Sequence, residues 1–234
     1  MKPFGRIIGR AAMALGSIML LGGPVSAQET GTLIKHKAAQ IDEIRTKGGA
    51  RLVAEQFGAC VVDRSELRSL KWVDLPFGSP EFRNMRGSLT SFTDECISGG
   101  ELTISDVTLR GAMLQSLYLR YYSKKPVPVF APDANSGYRS VYPEELSPEA
   151  RQIVALEQFG ECVAKADPET VRRLLTAVSE SGGEAAIFAE LGPRFSGCIV
   201  QGENLKFSKL VLKSALAEGM FRLTRATQTA TASK

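Results

Sequence analysis

The feature that most constrains this chain is a pattern that occurs twice. Its four cysteines, Cys60, Cys96, Cys162 and Cys198, fall into two pairs with the same interval inside each. The neighbouring residues recur with them. Glu55-Gln56-Phe57-Gly58-Ala59-Cys60-Val61 returns as Glu157-Gln158-Phe159-Gly160-Glu161-Cys162-Val163, and Cys96-Ile97 before Gly100-Glu101 returns as Cys198-Ile199 before Gly202-Glu203. After one inserted residue, Leu109-Arg110-Gly111-Ala112-Met113 lines up with Leu212-Lys213-Ser214-Ala215-Leu216. This many matches in register predict an internal duplication, with one unit at 49–122 and a second at 147–223.

Each unit has helical periodicity. Ile153, Leu156, Phe159 and Val163 recur at helical spacing after Ser147 as cap and Pro148 in the first turn. Asp167-Pro168-Glu169 opens a second helix carrying Val171, Leu174, Leu175 and Val178. In the first unit Asp63 is expected to open the corresponding helix, with Glu66 three residues on as a capping-box partner. Trp72 and Pro76 predict that this helix ends earlier than its counterpart. Ser79-Pro80-Glu81 starts another helix with Phe82, Met85, Leu89 and Phe92 on one stripe, and Ser105 and Ser208 cap a final helix in each unit. The expected architecture is all-α: two tandem disulfide-stapled repeats of about four helices each, plus a short N-terminal helix.

The repeat also selects a disulfide pattern. Four cysteines allow three pairings, but only Cys60–Cys96 with Cys162–Cys198 staples both units alike. A ring of this size stabilises by roughly 4 kcal/mol in the chain-entropy account, which matters to units with small cores. Gly58 and Gly160 lie two residues before a bridged cysteine in helical sequence. Glycine there costs up to ~1 kcal/mol relative to alanine, so both positions predict a close approach of backbones. Zinc binding is the poorer reading of the cysteines, because no pair is spaced C-x-x-C and the single histidine, His36, is remote.

Residues 1–27 have the three zones of a secretory signal peptide. Lys2, Arg6 and Arg10 are followed by the uncharged run Ala11–Gly23, then Pro24 and the small residues Val25-Ser26-Ala27. The run is shorter than the ~20 residues a membrane span takes. Cleavage near Ala27 would release a periplasmic or secreted protein, in an oxidising compartment where disulfides persist. Cleavage also disposes of the basic character: the charge of +4 rests on 29 basic against 25 acidic residues, and losing three bases leaves 26 against 25. No nucleic-acid partner is therefore expected for Lys35, Lys37, Arg45, Arg120, Lys124 and Lys125, and no membrane contact beyond the leader.

Three further segments remain. Residues 28–48 read as an N-terminal helical segment with Ile34, Ala38, Ile41 and Ile44, ending at Gly48-Gly49. Residues 123–146 form a connector with Pro126, Pro128, Pro132 and Pro143 and several aromatics, and 224–234 read as a disordered Thr-Ala tail. The aromatics Tyr121, Tyr122, Phe130, Tyr138 and Tyr142 are the candidate contacts for an envelope protein or a glycan, since tyrosine gives contact area at small entropic cost. The competing reading is that they bury themselves against the two units.

Chemistry-bearing motifs are scarce. No nucleophile elbow, phosphate loop or dinucleotide fingerprint occurs, and no cofactor, metal site or catalytic residue is assigned. Paired carboxylates are the one enzymatic option, with Glu55 and Glu157, or Glu101 and Glu203, acting on glycans. A once-per-repeat glutamate also suits a cap or a salt bridge. The phrases F-G-x-C and Cys-Ile…Gly-Glu…Leu-[Arg/Lys]-x-Ala resemble those of small exported alphaproteobacterial proteins with duplicated helical units. The resemblance implies export and transfers no activity and no catalytic residue. The expectation is an exported binding or scaffolding protein of the cell envelope, with a carboxylate-dependent envelope enzyme as the alternative.

Overall fold

The computed structural model describes residues 47–90, 94–97, 102–199 and 207–232. The leader, residues 28–46 of the expected N-terminal helix, Glu101 and Glu203 lie outside the described residues. Among the described residues there is no strand, and eight α-helices occur in the order α1 (Lys47–Arg64), α2 (Glu66–Asp74), α3 (Pro80–Thr90), α4 (Asp106–Tyr122), α5 (Pro148–Ala166), α6 (Pro168–Thr176), α7 (Gly182–Cys198) and α8 (Lys209–Ala232). Short 3₁₀ turns lie at Asp94–Cys96 and Tyr138–Val141. In both 47–122 and 148–232 the second helix has nine residues, but the third differs, with 11 residues in α3 and 17 in α7.

The start signals act as their chemistry requires. A helix leaves its first backbone N–H groups without partners, and side-chain oxygens take them up. Ser147 accepts from the Ala150 N–H, Asp167 from Thr170, Ser105 from Thr108, Ser79 from Phe82 and Ser208 from Val211. The first-unit boundary differs from expectation. Asp63 lies inside α1, and α2 begins only at Glu66. Asp63 and Glu66 instead both pair with Arg120 of α4, so an ion pair between helices has taken the carboxylates that a capping box would use. The helix that Trp72 and Pro76 were expected to shorten is nine residues long, as is its counterpart. Trp72 is fully buried, stacked on Phe82 at 4.5 Å with its indole N–H on the Phe82 carbonyl, and that packing carries α2 to Asp74.

Two other boundaries move. Gly48-Gly49, expected to end the N-terminal helix, instead lie in the first turn of α1, where Gly49 and Arg51 are buried in the tertiary structure. The expected disordered tail is helical as far as Ala232. Thr224 is buried, Arg225 binds Asp74 and covers the Phe221 ring, and Thr227 and Thr229 donate to carbonyls one turn back.

The two disulfides are Cys60–Cys96 and Cys162–Cys198, each across 36 residues with Cα atoms 5.7 Å apart, inside the ordinary range. Each ties the first long helix of its half to the end of the third-helix region: Cys198 closes α7, while Cys96 closes the 3₁₀ turn that follows α3. α4 and α8 form the centre. They pack on one another, with α1 against α4 and α5 against α8. At the central crossing a Cβ on Gly111 would overlap Ser214, the residue at the matching place in the other half. A Cβ on Gly58 would meet Ala112 of α4, and one on Gly160 would overlap the Ala215 carbonyl of α8. The glycines therefore permit backbone contact beside each bridge, for which their helix-propensity cost is the trade. Around these contacts a continuous core of Val61, Leu109, Met113, Leu117, Val163, Leu174, Leu216 and Met220 excludes water.

Candidate functional site

Charges buried within the central helix layer are the most distinctive chemistry of the molecule. Arg110 and Lys213 occupy matching places in the paired phrases, and both are buried. Glu55 and Glu157 also match, and the structure crosses the partners over. Lys213 of α8 lies 2.8 Å from Glu55 of α1, and Arg110 of α4 lies 3.4 Å from Glu157 of α5. Each cation thus reaches the first long helix of the opposite half. The geometry follows from the close crossing at Gly111 and Ser214, which carries each neighbouring cation over the midline.

The Lys213 ammonium is densely satisfied, although Nε and Nη1 of the neighbouring Arg51 have no hydrogen-bond partner. The ammonium contacts the Ala177 carbonyl at 3.2 Å, the Ser179 hydroxyl at 3.1 Å and Glu184 at 3.3 Å in addition to Glu55. The Ser179 hydroxyl lies 2.6 Å from Glu55, and Arg51 pairs with Glu184 and Glu180. Burial opposes ionisation of Glu184, but the Glu180 N–H and the charges of Lys213 and Arg51 outweigh it and hold its carboxyl below the usual range. Among the described residues Glu180 is the one non-glycine residue with positive φ, at 66°. The strain of that backbone, of order 1–3 kcal/mol, is offset by the hydrogen bond from its N–H to Glu184 and the ion pair with Arg51.

The Arg110 cluster is built differently. The guanidinium Nη2 lies at ion-pair distance from Glu218, 2.8 Å, and Glu157, 3.4 Å, while none of the three guanidinium nitrogens has a hydrogen-bond partner. The Phe77 and Phe82 rings lie 6.0 and 5.9 Å from the guanidinium carbon, within cation–π range. Glu218 also accepts from Arg222 at 2.8 Å, and Arg222 donates onward to the Val73 carbonyl. The Tyr142 hydroxyl donates to Glu157 Oε1 at 3.1 Å and accepts the Phe77 N–H at 3.3 Å. Glu157 Oε2 has no partner. Burial first, then the Glu218 charge, pushes the Glu157 carboxyl up to about 8 against the pull of Arg110 and Arg222. For Glu218 the balance is opposite: burial disfavours its charge, but Arg110 and Arg222 hold it below the usual carboxylate range.

These placements bear directly on the sequence candidates. Glu157 has a raised proton affinity, as a general acid would, but its side chain is only 3% exposed. The cavity beside it, lined by Arg110, Glu157, Glu218 and Phe77, measures about 10 Å³, enough for one water and far too small for a sugar. Glu55 and Glu157 do not converge on a shared cleft, since Glu55 faces Lys213 while Glu157 faces Arg110, a cation it shares with Glu218. The connector aromatics largely face inward. Phe130, Tyr138 and Tyr142 are each 7% exposed, so these three are packing residues and not surface anchors. Tyr138 and Tyr142 form a small separate cluster with Val154, bordered by Phe77 and Leu146. Tyr121 and Tyr122 are half-buried, Tyr121 bonded to Glu66 and Tyr122 packed on Phe221. Burial pushes the Tyr118 hydroxyl in the same region up to about 12.

Sequence reasoning passed over Arg110, Lys213, Glu184, Ser179, Glu218 and Arg222. For the first two a signal was present, a cation inside the apolar stripe at the same place in both units. Among the described residues no group of three or more His, Cys, Asp or Glu side chains could hold a metal ion, and no helix is long and apolar enough to cross a membrane. No family model, curated protein or solved structure matches the chain.

Proposed function

We propose that the chain is an exported, non-catalytic binding or scaffolding protein of the cell envelope, active after removal of the leader near Ala27. The observation that carries this reading is the closure of the interior. The most strongly perturbed carboxyl, on Glu157, faces a cavity of about 10 Å³, and the candidate acids Glu55 and Glu157 are bound to cations. Two disulfides support an oxidising compartment, and the leader pattern supplies the route there. A protein partner suits the surface better than a glycan, because three of the five candidate rings, Phe130, Tyr138 and Tyr142, are buried and Tyr121 and Tyr122 are half-buried. Among the described residues the large apolar side chains left outside are aliphatic, led by Val129 at 91% exposure in the connector and Leu67 at 82% on α2.

The test is to recover the protein from the cell envelope, sequence its N-terminus, and crosslink it there from a photoreactive residue at position 129. The expected N-terminus is Gln28, with a discrete protein adduct that disappears in Leu67→Asp or in a crosslinker variant placed at buried position 142. Circular dichroism first shows each variant folded. An uncleaved cytosolic protein with free thiols overturns export, and adducts equal from positions 129 and 142 overturn the surface assignment.

A further inference from the structure

The two glutamates of the Arg110 cluster lie on neighbouring helices packed backbone to backbone, since Cβ atoms on Gly160 of α5 and Gly219 of α8 would each overlap the backbone across the contact. Their charged surroundings are as follows. α4 contributes Arg110, and α8 contributes Arg222 beside Glu218 itself. The connector contributes Tyr142 and, farther out, Tyr138. The end of α2 contributes Asp74, which faces Arg222 at 3.9 Å and is shared with Arg225. One turn along α5, Glu161 is occupied by Lys165 and Ser136. Arg222 and the nearer contact of Arg110 go to Glu218, so Glu157 has no cation of its own. Its Oε1 is faced by the Tyr142 hydroxyl and, more distantly, by Arg110, whereas Oε2 has no donor.

We propose that the Glu157–Glu218 pair carries a single proton in the folded protein, on Glu157, and that loss of this proton releases Tyr142 and the connector turn that it anchors. Ionised Glu157 would be a buried carboxylate without a dedicated counter-charge, a costly state that solvation relieves. Three of the surrounding helices are fixed by backbone contacts. Tyr138 and Tyr142, at the two ends of the connector turn, belong to a separate small cluster and Val141 between them is exposed, so moving this turn disturbs the main core least and admits water. Tyr142 also holds the Phe77 N–H between α2 and α3, and its departure frees that segment as well.

The direction with pH follows from linkage. Glu157 releases its proton at about 8 in the closed state, against an ordinary value of 4.5. Closure is therefore fully supported below 4.5 and weakens as pH rises from there to about 8, where the penalty saturates. Glu218 acts in a different window, since its lowered value makes its contribution present above 4.5 and lost as pH falls below that.

Hydrogen exchange of the Phe77 amide, expressed as a protection factor to remove intrinsic base catalysis, reads the latch directly. The expected result is a fall of up to about tenfold per pH unit between pH 5 and 8, and a flat profile in Glu157→Gln, which keeps the acceptor for Tyr142. Tyr142→Phe is expected to lose protection at all pH values. A flat wild-type profile, or an unchanged slope in Glu157→Gln, overturns the proposal. Should Glu157→Gln fail to fold, carbon NMR of the wild-type Glu157 carboxyl decides: titration near pH 8 supports the shared proton, and titration near 4.5 refutes it.

Discussion

The two halves of the molecule use the same place in a central helix for opposite purposes. Lys213 ends on a compact ammonium, and a carbonyl, a hydroxyl and two carboxylates surround it. Arg110 presents a planar fork with five donors, and none of its three nitrogens has a hydrogen-bond partner among the flanking aromatic rings. In the Lys213 cluster, Glu184 is held below its ordinary range, and in the Arg110 cluster Glu157 is pushed above it. One cluster therefore fixes the junction between halves, and the other retains a proton and a void. The comparison teaches that a matched position does not carry a matched role when the donor geometry of the side chain changes.

The largest effect that would test this contrast is Lys213→Met. It leaves Glu55 and Glu184 facing each other without their central cation, and urea unfolding at pH 7 is expected to show a loss of about 3–5 kcal/mol. Next come the bridges. Replacing Cys162 and Cys198 by alanine, or Cys60 and Cys96, is expected to cost about 2–4 kcal/mol in either half, because both rings close 36 residues. Unequal losses in thermal unfolding would show that the halves differ in folding as well as in electrostatics.

Arg110→Met is expected to cost about 1–3 kcal/mol, less than Lys213→Met. Glu218 keeps Arg222, Glu157 is protonated, and the methionine packs between Phe77 and Phe82. Equal losses for the two variants in urea at pH 7 would mean that Glu157 is ionised and the contrast is false. The smallest effect concerns the end of α8. Arg225→Ala removes a partly exposed ion pair with Asp74 and is expected to change stability by no more than about 1 kcal/mol, with faster amide exchange confined to the residues after Thr224.

Much of the local structure was written in the chain. Ser147-Pro148, Asp167-Pro168 and Ser79-Pro80 mark helix starts because a side-chain acceptor followed by proline suits the unpartnered first turn. Gly58 and Gly160 signalled backbone contact because nothing else justifies glycine there. Failures cluster where a distant partner reassigns a residue. Asp63 and Glu66 turn to Arg120 instead of capping, and Phe130, Tyr138 and Tyr142 turn inward although the proline-rich connector gives no sign of which way they face.

By itself, then, the sequence determined the helical class, most of the helix starts, the equal bridges and the close packing at Gly58 and Gly160, all of which depend on neighbours along the chain or on one matched interval. Only the tertiary structure decided that Arg110 meets Glu157 and Glu218 while Lys213 meets Glu55 and Glu184. Periodicity tells which residues share a helix face. Which face of the other half it meets depends on how α4 and α8 cross at Gly111 and Ser214, and on the shapes of the two cations placed beside that crossing.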